Sequence, residues 1–229
     1  MTNLLPAPVK NLGAVVLCGG KSTRMGMDKS QLVFKGMTFL EQVVFRSSQV
    51  CDPIVLVGDI DFSNHDLPDG VLFDQDQEPN KGPLEGMRVG LKRLSSLVEF
   101  AFVTSCDAPL VKPELIRYLF GEVGQSNAVV PQEGERVFGM ASIYRTTLYS
   151  TIGERVAANQ LRVSKLAREI NANHPDMDSI RLIDPDLDSL TNINSKADYQ
   201  RLIKRFNLRC PATICDALGL DPHSFDDRD

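Results

Sequence analysis

The feature that most constrains this chain is a series of short apolar runs set between helical periods. Ala14-Val15-Val16-Leu17-Cys18, Pro53-Ile54-Val55-Leu56-Val57, Val71-Leu72-Phe73, Phe100 to Thr104 and Asn127-Ala128-Val129-Val130 show no apolar–polar alternation. A strand with one wet face alternates; an unbroken run implies cover on both faces, as in a parallel sheet. Between the runs, Leu40, Val43 and Val44 form one helical stripe, and Leu84, Met87, Leu91, Leu94 and Val98 a longer one. Leu115, Ile116, Leu119 and Phe120 follow Pro113, a residue suited to a first helical turn. Strands alternating with helices predict an α/β fold, a Rossmann-like open, mostly parallel sheet flanked by helices.

The second half is less regular. Glu135 to Tyr144 predicts two short strands, Thr147 to Glu169 two helices parted near Gln160, and Leu187 to Ile193 an extended segment. Ser195 with Asp198 resembles a capping box opening a last helix that carries Tyr199, Leu202, Ile203 and Phe206 on one face. No linker divides the chain. The expected organisation is an N-terminal extension over 1–11, one domain over 12–208 and a polar, loosely held tail over 209–229.

A chain of 229 residues with 42% hydrophobic content buries a core without staples. Its apolar runs fall far short of the roughly 20 residues that cross a bilayer, and Met1 to Lys10 lacks a signal-peptide core. The expectation is a soluble cytoplasmic protein with no membrane partner. A net charge of −5 argues against a nucleic-acid face but leaves room for a small phosphorylated ligand. Five cysteines without a C-x-x-C pair and three scattered histidines argue against zinc. Cys210 and Cys215 are expected to be bystanders, and Lys92, Arg93, Lys112 and Arg117 solvated helix faces.

The densest signal follows the first strand: Leu17-Cys18-Gly19-Gly20-Lys21-Ser22-Thr23-Arg24-Met25-Gly26-Met27-Asp28-Lys29. Glycines let backbone amides approach phosphates, and Arg24 and Lys29 add charge. The loop fails the P-loop spacing, whose first glycine would fall at Val15, and fails G-x-G-x-x-G as well. Asp107 follows Phe100 to Thr104, at the carboxyl end of a buried strand, where a carboxylate can hold Mg²⁺ together with substrate phosphates. Val71-Leu72-Phe73-Asp74-Gln75-Asp76 offers two further acids. Gly82-Pro83-Leu84-Glu85-Gly86 opens the long helix, and Asn192 and Asn194 flank Ile193 in an extended stretch.

The first loop resembles L-A-G-G-x-S-x-R-M-G-x-D-K of the molybdenum cofactor guanylyltransferases, within the wider nucleotidyltransferases, with Cys18 for the usual Ala. Gly82 to Gly86 resembles that family's G-P-L-A-G with Glu85 for Ala, Ser105-Cys106-Asp107-Ala108-Pro109 its P-C-D-x-P, and Asn192-Ile193-Asn194 its N-[IV]-N. The likeness spans about residues 12–206. It implies a nucleotide-diphospho-sugar transferase type of fold and transfer of GMP from GTP to the terminal phosphate of molybdopterin, releasing pyrophosphate. It implies nucleotide contacts from Leu17, Cys18, Gly19, Gly20, Lys29, Asp74, Gly82, Pro83, Leu84 and Asp107. Asp107 would carry Mg²⁺, Arg24, Lys29 and Asp107 the catalysis, and Asn192 and Asn194 the acceptor or metal side. Transient contact with molybdoenzymes or other cofactor-assembly proteins is implied too. Two departures fall on the substrates: Val57-Gly58-Asp59 stands where the family has an Asn-containing segment, and Phe138-Gly139-Met140-Ala141 where it has a His- or Gln-Pro pair. The rival readings are a sister enzyme using CTP or another NTP with molybdopterin or a sugar or alditol phosphate, and a non-catalytic binding module.

Overall fold

Every residue of the first strand, β1 (Leu12–Leu17), is buried: Leu12, Ala14 and Val16 pack on one side, Val15 and Leu17 on the other. That two-sided burial is the reason its sequence does not alternate. The computed structural model describes residues 7–19, 25–76 and 81–221.

After β1 a 3-10 turn (Lys29–Gln31) and the hairpin of β2 (Val33–Phe34) and β3 (Met37–Thr38) lead to α1 (Phe39–Ser48), whose start Thr38 and Glu41 cap reciprocally. Then come β4 (Ile54–Val57), β5 (Leu72–Asp74), α2 (Pro83–Leu94) and β6 (Phe100–Ser105). α3 (Pro113–Gly121) precedes β7 (Ala128–Val129), the small hairpin of β8 (Gln132–Glu133) and β9 (Arg136–Val137), and β10 (Ser142–Arg145). The chain continues through α4 (Tyr149–Ala157), α5 (Val163–Glu169), β11 (Ala172–Asn173), α6 (Met177–Ile183), α7 (Lys196–Arg205) and α8 (Ala212–Leu218).

Seven strands form the central sheet in the order β11-β7-β10-β6-β1-β4-β5, with β10 alone antiparallel to its neighbours. Leu40, Val43, Leu115, Ile116 and Ile180 bring α1, α3 and α6 onto one face; Leu84, Met87, Ile152 and Leu166 bring α2, α4 and α5 onto the other. Gly90 lets α2 close on β1: a Cβ there would lie 2.4 Å from Val15 Cγ1. The mostly parallel three-layer α/β architecture is the one expected, in a single domain.

A register row crosses the carboxyl end of the sheet. Ser105 on β6 stands opposite Leu17 on β1, Leu17 opposite Val57 on β4, and Val57 opposite Asp74 on β5. Ligands of open α/β sheets bind over such an end.

Four expectations are corrected. Ala212–Leu218 is no loose tail: Ile214, Cys215 and Leu218 bury beside Met25, Phe34, Tyr199 and Leu202 in a third apolar cluster. Cys210 and Cys215 are joined as a disulfide, whereas Cys18, Cys51 and Cys106 are buried free thiols. Within Leu187 to Ile193, residues Asp188–Leu190 form a 3-10 turn entered through Leu187 at φ +53°. Lys112 and Arg117 are engaged rather than solvated, Lys112 with Asp184 at 2.8 Å and Arg117 with the Gln49 carbonyl at 2.6 Å. The Ser195–Asp198 capping box forms as expected.

Asp184 carries a consequence for acid stability. Burial works to raise its carboxyl, but the Lys112 ammonium and hydrogen bonds from Ser189 outweigh burial and hold it below the usual range. A depressed folded-state value stabilises above the unfolded value of about 3.9 and is lost as pH falls through the folded one. Urea titrations should show Asp184→Asn less stable than wild type at pH 7, with the gap closing below about pH 4. A constant gap across that range would exclude this carboxylate from the acid transition.

Candidate active site

β6 delivers its last residues to the carboxyl end of the sheet. The Cys106 N–H still donates to Leu17 O at 3.0 Å; the Ala108 N–H then turns back to Ser105 O at 3.2 Å, leaving Asp107 at the strand exit. The Asp107 carbonyl accepts from the Ile193 N–H at 2.8 Å, which pins the late Asn192-Ile193-Asn194 segment against it. Ile193 buries in the third apolar cluster, and both neighbours turn toward the β6 exit.

Lys29 arrives from the first loop. Asp28 caps the 3-10 turn through the Ser30 N–H at 2.9 Å, and Lys29 Nζ reaches Asp107 Oδ2 at 2.9 Å and Asn194 Oδ1 at 2.8 Å. The Ser105 hydroxyl donates to Asp107 Oδ1 and accepts from Asn192 Nδ2 at 3.1 Å. One network thus joins five polar residues from the first loop, the β6 exit and the segment before α7.

This network borders a cavity of about 540 Å³ over the register row, lined by Leu17, Gly19, Val57, Asp76, Gly82, Pro83, Gly86, Ser105, Asp107, Met140 and Asn192. Among the described residues, nothing lies within 4 Å of where a Cβ on Gly19 would stand. A second cavity of about 210 Å³ shares Met140 and Asn192 and continues along Arg136, Val137, Phe138, Gly139, Ala141, Val163 and Leu190. The Arg136 guanidinium lies 4.6 Å from the Phe138 ring centroid.

Of the residues expected from sequence, Leu17, Gly19, Gly82, Pro83, Asp107 and Asn192 line the main cavity, Lys29 joins it through Asp107, and Asn194 through Lys29. Cys18 and Leu84 bury their side chains in the two sheet-face clusters, which leaves them only their backbone to offer a nucleotide. Asp74 ends β5 with its carboxylate accepting from the Gln75 N–H at 2.9 Å. Gly20 and Arg24 lie outside the described residues. Gly86 and Ser105 stood in the sequence inside motifs, and Val57 and Met140 inside the two departures, without being expected as site residues; Asp76 was visible in the pair of acids after β5. Glu85, which replaces a family alanine, is fully buried and grips Arg88 with two bonds of 2.7 and 2.6 Å.

The Cys18 thiol is pushed well up by burial and by the neighbouring Cys106 thiol, the opposite of an activated nucleophile. What the site offers is charge, hydrogen bonding and position. Among the described residues no helix is long and apolar enough to cross a membrane.

Comparison with known proteins agrees with this fold. The model of the MobA-like NTP transferase domain matches residues 14–174, more than half of the chain. A probable molybdenum cofactor guanylyltransferase of Methanosarcina acetivorans is 33% identical over 218 residues, covering 88% of this chain and 94% of that protein. One from Mycobacterium tuberculosis is 34% identical over 202 residues, covering 86% and 95%. Among solved structures, molybdopterin-guanine dinucleotide biosynthesis protein A from Archaeoglobus fulgidus superposes with a TM-score of 0.69 at 22% identity, covering 83% of this chain and 96% of that one. The chain belongs to the MobA-like NTP transferase family and is a nucleotidyltransferase.

Proposed function

We propose that this enzyme transfers GMP from GTP to the terminal phosphate of a molybdopterin acceptor in the cytoplasm, releasing pyrophosphate and forming the guanine dinucleotide. The observation that carries the reading is the Lys29–Asp107–Asn194 network, whose Asp107 lines a cavity of about 540 Å³. The names of the relatives support both substrates.

Both reactants are anions, so the work is alignment and charge neutralisation. Lys29 supplies a positive charge beside the phosphates, held in place by Asp107 and Asn194. Gly19 presents backbone to the phosphates, with nothing among the described residues standing where a Cβ would be. Asn192 forms wall common to both cavities, so the acceptor phosphate meets the nucleotide there, with the rest of the acceptor along Arg136 and Phe138.

The donor set suits Mg²⁺. Among the described residues no three His, Cys, Asp or Glu cluster; Asp107 brings one carboxylate beside the Ser105 hydroxyl, and Lys29 joins it to the Asn194 amide oxygen. Mg²⁺ prefers few hard protein oxygens, completed by phosphates and water. Bound at Asp107, it would neutralise phosphate charge.

The test is pyrophosphate release with molybdopterin, Mg²⁺ and each of GTP, CTP, ATP and UTP. Release is expected with GTP above the other three. Preference for CTP moves the enzyme to a sister specificity, and no release with any nucleotide makes it a binding module.

A further inference from the structure

We infer that His65 is a positioning residue for Lys29: buried beside the start of α1, it holds Gln31 and with it the 3-10 turn that carries the Lys29 ammonium. The inference rests on the reading above, in which that ammonium acts on the phosphates, and adds the group that keeps it in place.

The first argument is mechanical. Lys29 reaches Asp107 and Asn194 at the end of a long side chain whose rotamer freedom must be restrained. Its backbone belongs to a single 3-10 turn, Lys29–Gln31, a geometry with poor internal bonds of its own. Asp28 fastens the front of that turn through the Ser30 N–H at 2.9 Å. The last residue is fastened by its side chain, with Gln31 Nε2 at 2.9 Å from His65 Nε2.

The second argument is that His65 is itself fixed. Its side chain is fully buried, and Nδ1 lies 3.0 Å from Oγ1 of Thr38, the N-cap of α1. Glu41 ties the two segments together: one carboxylate oxygen accepts from the Thr38 N–H and the other from the Asp66 N–H, both at 2.8 Å. A 3-10 turn at Phe62–Asn64, capped by Asp61, leads into His65. The imidazole thus bridges the first loop to a helix that Leu40 and Val43 seat on the sheet.

The third argument is chemical. An amide nitrogen only donates, so His65 Nε2 accepts from Gln31, and the ring proton sits on Nδ1 and donates to Thr38. The bridge therefore requires the neutral imidazole. Burial holds that imidazole below its ordinary value, outweighing the carboxylates that face it: Glu41 from α1, Asp28 from the first loop and Asp61 from the turn before it. Once acid protonates Nε2, two N–H donors oppose each other at Gln31, and the turn loses its hold.

The experiment measures kcat, nucleotide KM and the pH dependence of kcat on the full chain, as pyrophosphate release with GTP, Mg²⁺ and molybdopterin. The proteins are wild type, His65→Ala, His65→Gln, Gln31→Ala, Lys29→Ala and the pair of Lys29→Ala with His65→Ala. His65→Ala and Gln31→Ala should each lose on the order of 10-fold, mainly in kcat. On the Lys29→Ala background His65→Ala should cost little more, because it acts through Lys29. Wild-type kcat should fall on acidification through a value below the ordinary imidazole's, about 6.5. His65→Gln offers Gln31 an oxygen that does not protonate, so it should recover most of the loss at pH 7 and lack that fall. Should His65→Ala fail to fold, Gln31→Ala and His65→Gln decide. Near-wild-type kcat in Gln31→Ala, strict multiplication with Lys29→Ala, or an unchanged acid fall in His65→Gln overturns the inference. Wild-type turnover in Lys29→Ala overturns the Lys29 reading and this inference together. A loss in Lys29→Ala with none in the His65 and Gln31 variants removes His65 alone.

Discussion

Asp107→Ala should lower turnover by on the order of 10³-fold while leaving the melting temperature nearly unchanged. Asp107 is the meeting point of the site: Lys29 and Ser105 bond its two oxygens, and its backbone carbonyl holds Ile193. The substitution keeps that carbonyl, so the Asn192–Asn194 segment stays docked and the loss is one of charge and position. Lys29→Ala should cost about 10²–10³-fold by removing one preorganised charge contact. The double variant should fall well short of the product of the two, because each residue works through the other. Pyrophosphate release across the four proteins checks this. Near-wild-type turnover of Asp107→Ala would remove the network from the chemistry, and strict multiplication would deny the coupling.

Gly58→Ala should destabilise the whole protein and disable the site with it. Gly58 leaves β4 against the exit of β1, where a Cβ would lie 1.8 Å from the Cys18 carbonyl oxygen and 2.5 Å from its carbon. Those are backbone atoms, which no rotamer change can relieve. The Cys18 N–H donates to Val57 O at 2.7 Å and the Gly58 N–H to Asp74 O at 3.1 Å, so parting β1 from β4 strains bonds on both sides. A cost of about 3 kcal/mol, the upper end for overpacking, lowers the melting temperature of a chain this size by roughly 6–12 °C. Because Gly19 follows Cys18 directly, nucleotide affinity should fall as well. A melting temperature within a degree of wild type would show that the two strand exits separate freely.

The contrast between these variants reflects which parts of the molecule were legible before folding. Gly58 stood in the sequence only as part of the Val57-Gly58-Asp59 departure, because nothing local to it announces the Cys18 carbonyl. Lys29 and Asp107 were each visible, one in a glycine-rich cationic loop and the other at a strand exit. Their contact spans 78 positions and that of Lys29 with Asn194 spans 165. Asp76 was visible only as one of two acids, and position along the sheet separated its surroundings from those of Asp74.

What the sequence determined by itself is what local periodicity and local capping encode. The unbroken run of β1 demands cover on two faces, the stripe of α2 demands one, and Ser195 with Asp198 starts α7 wherever that helix packs. The strand–helix alternation therefore followed from the chain alone. Only the tertiary structure decided that β10 runs against β6 and β7, since two strands of two and four residues carry no signal of direction. It also decided that the polar stretch after Arg209 buries α8, because three apolar residues become a core only when Met25, Phe34 and Tyr199 stand ready to receive them. The site belongs to the second kind: periodicity fixes which face a residue shows, and only long-range packing fixes which face it meets.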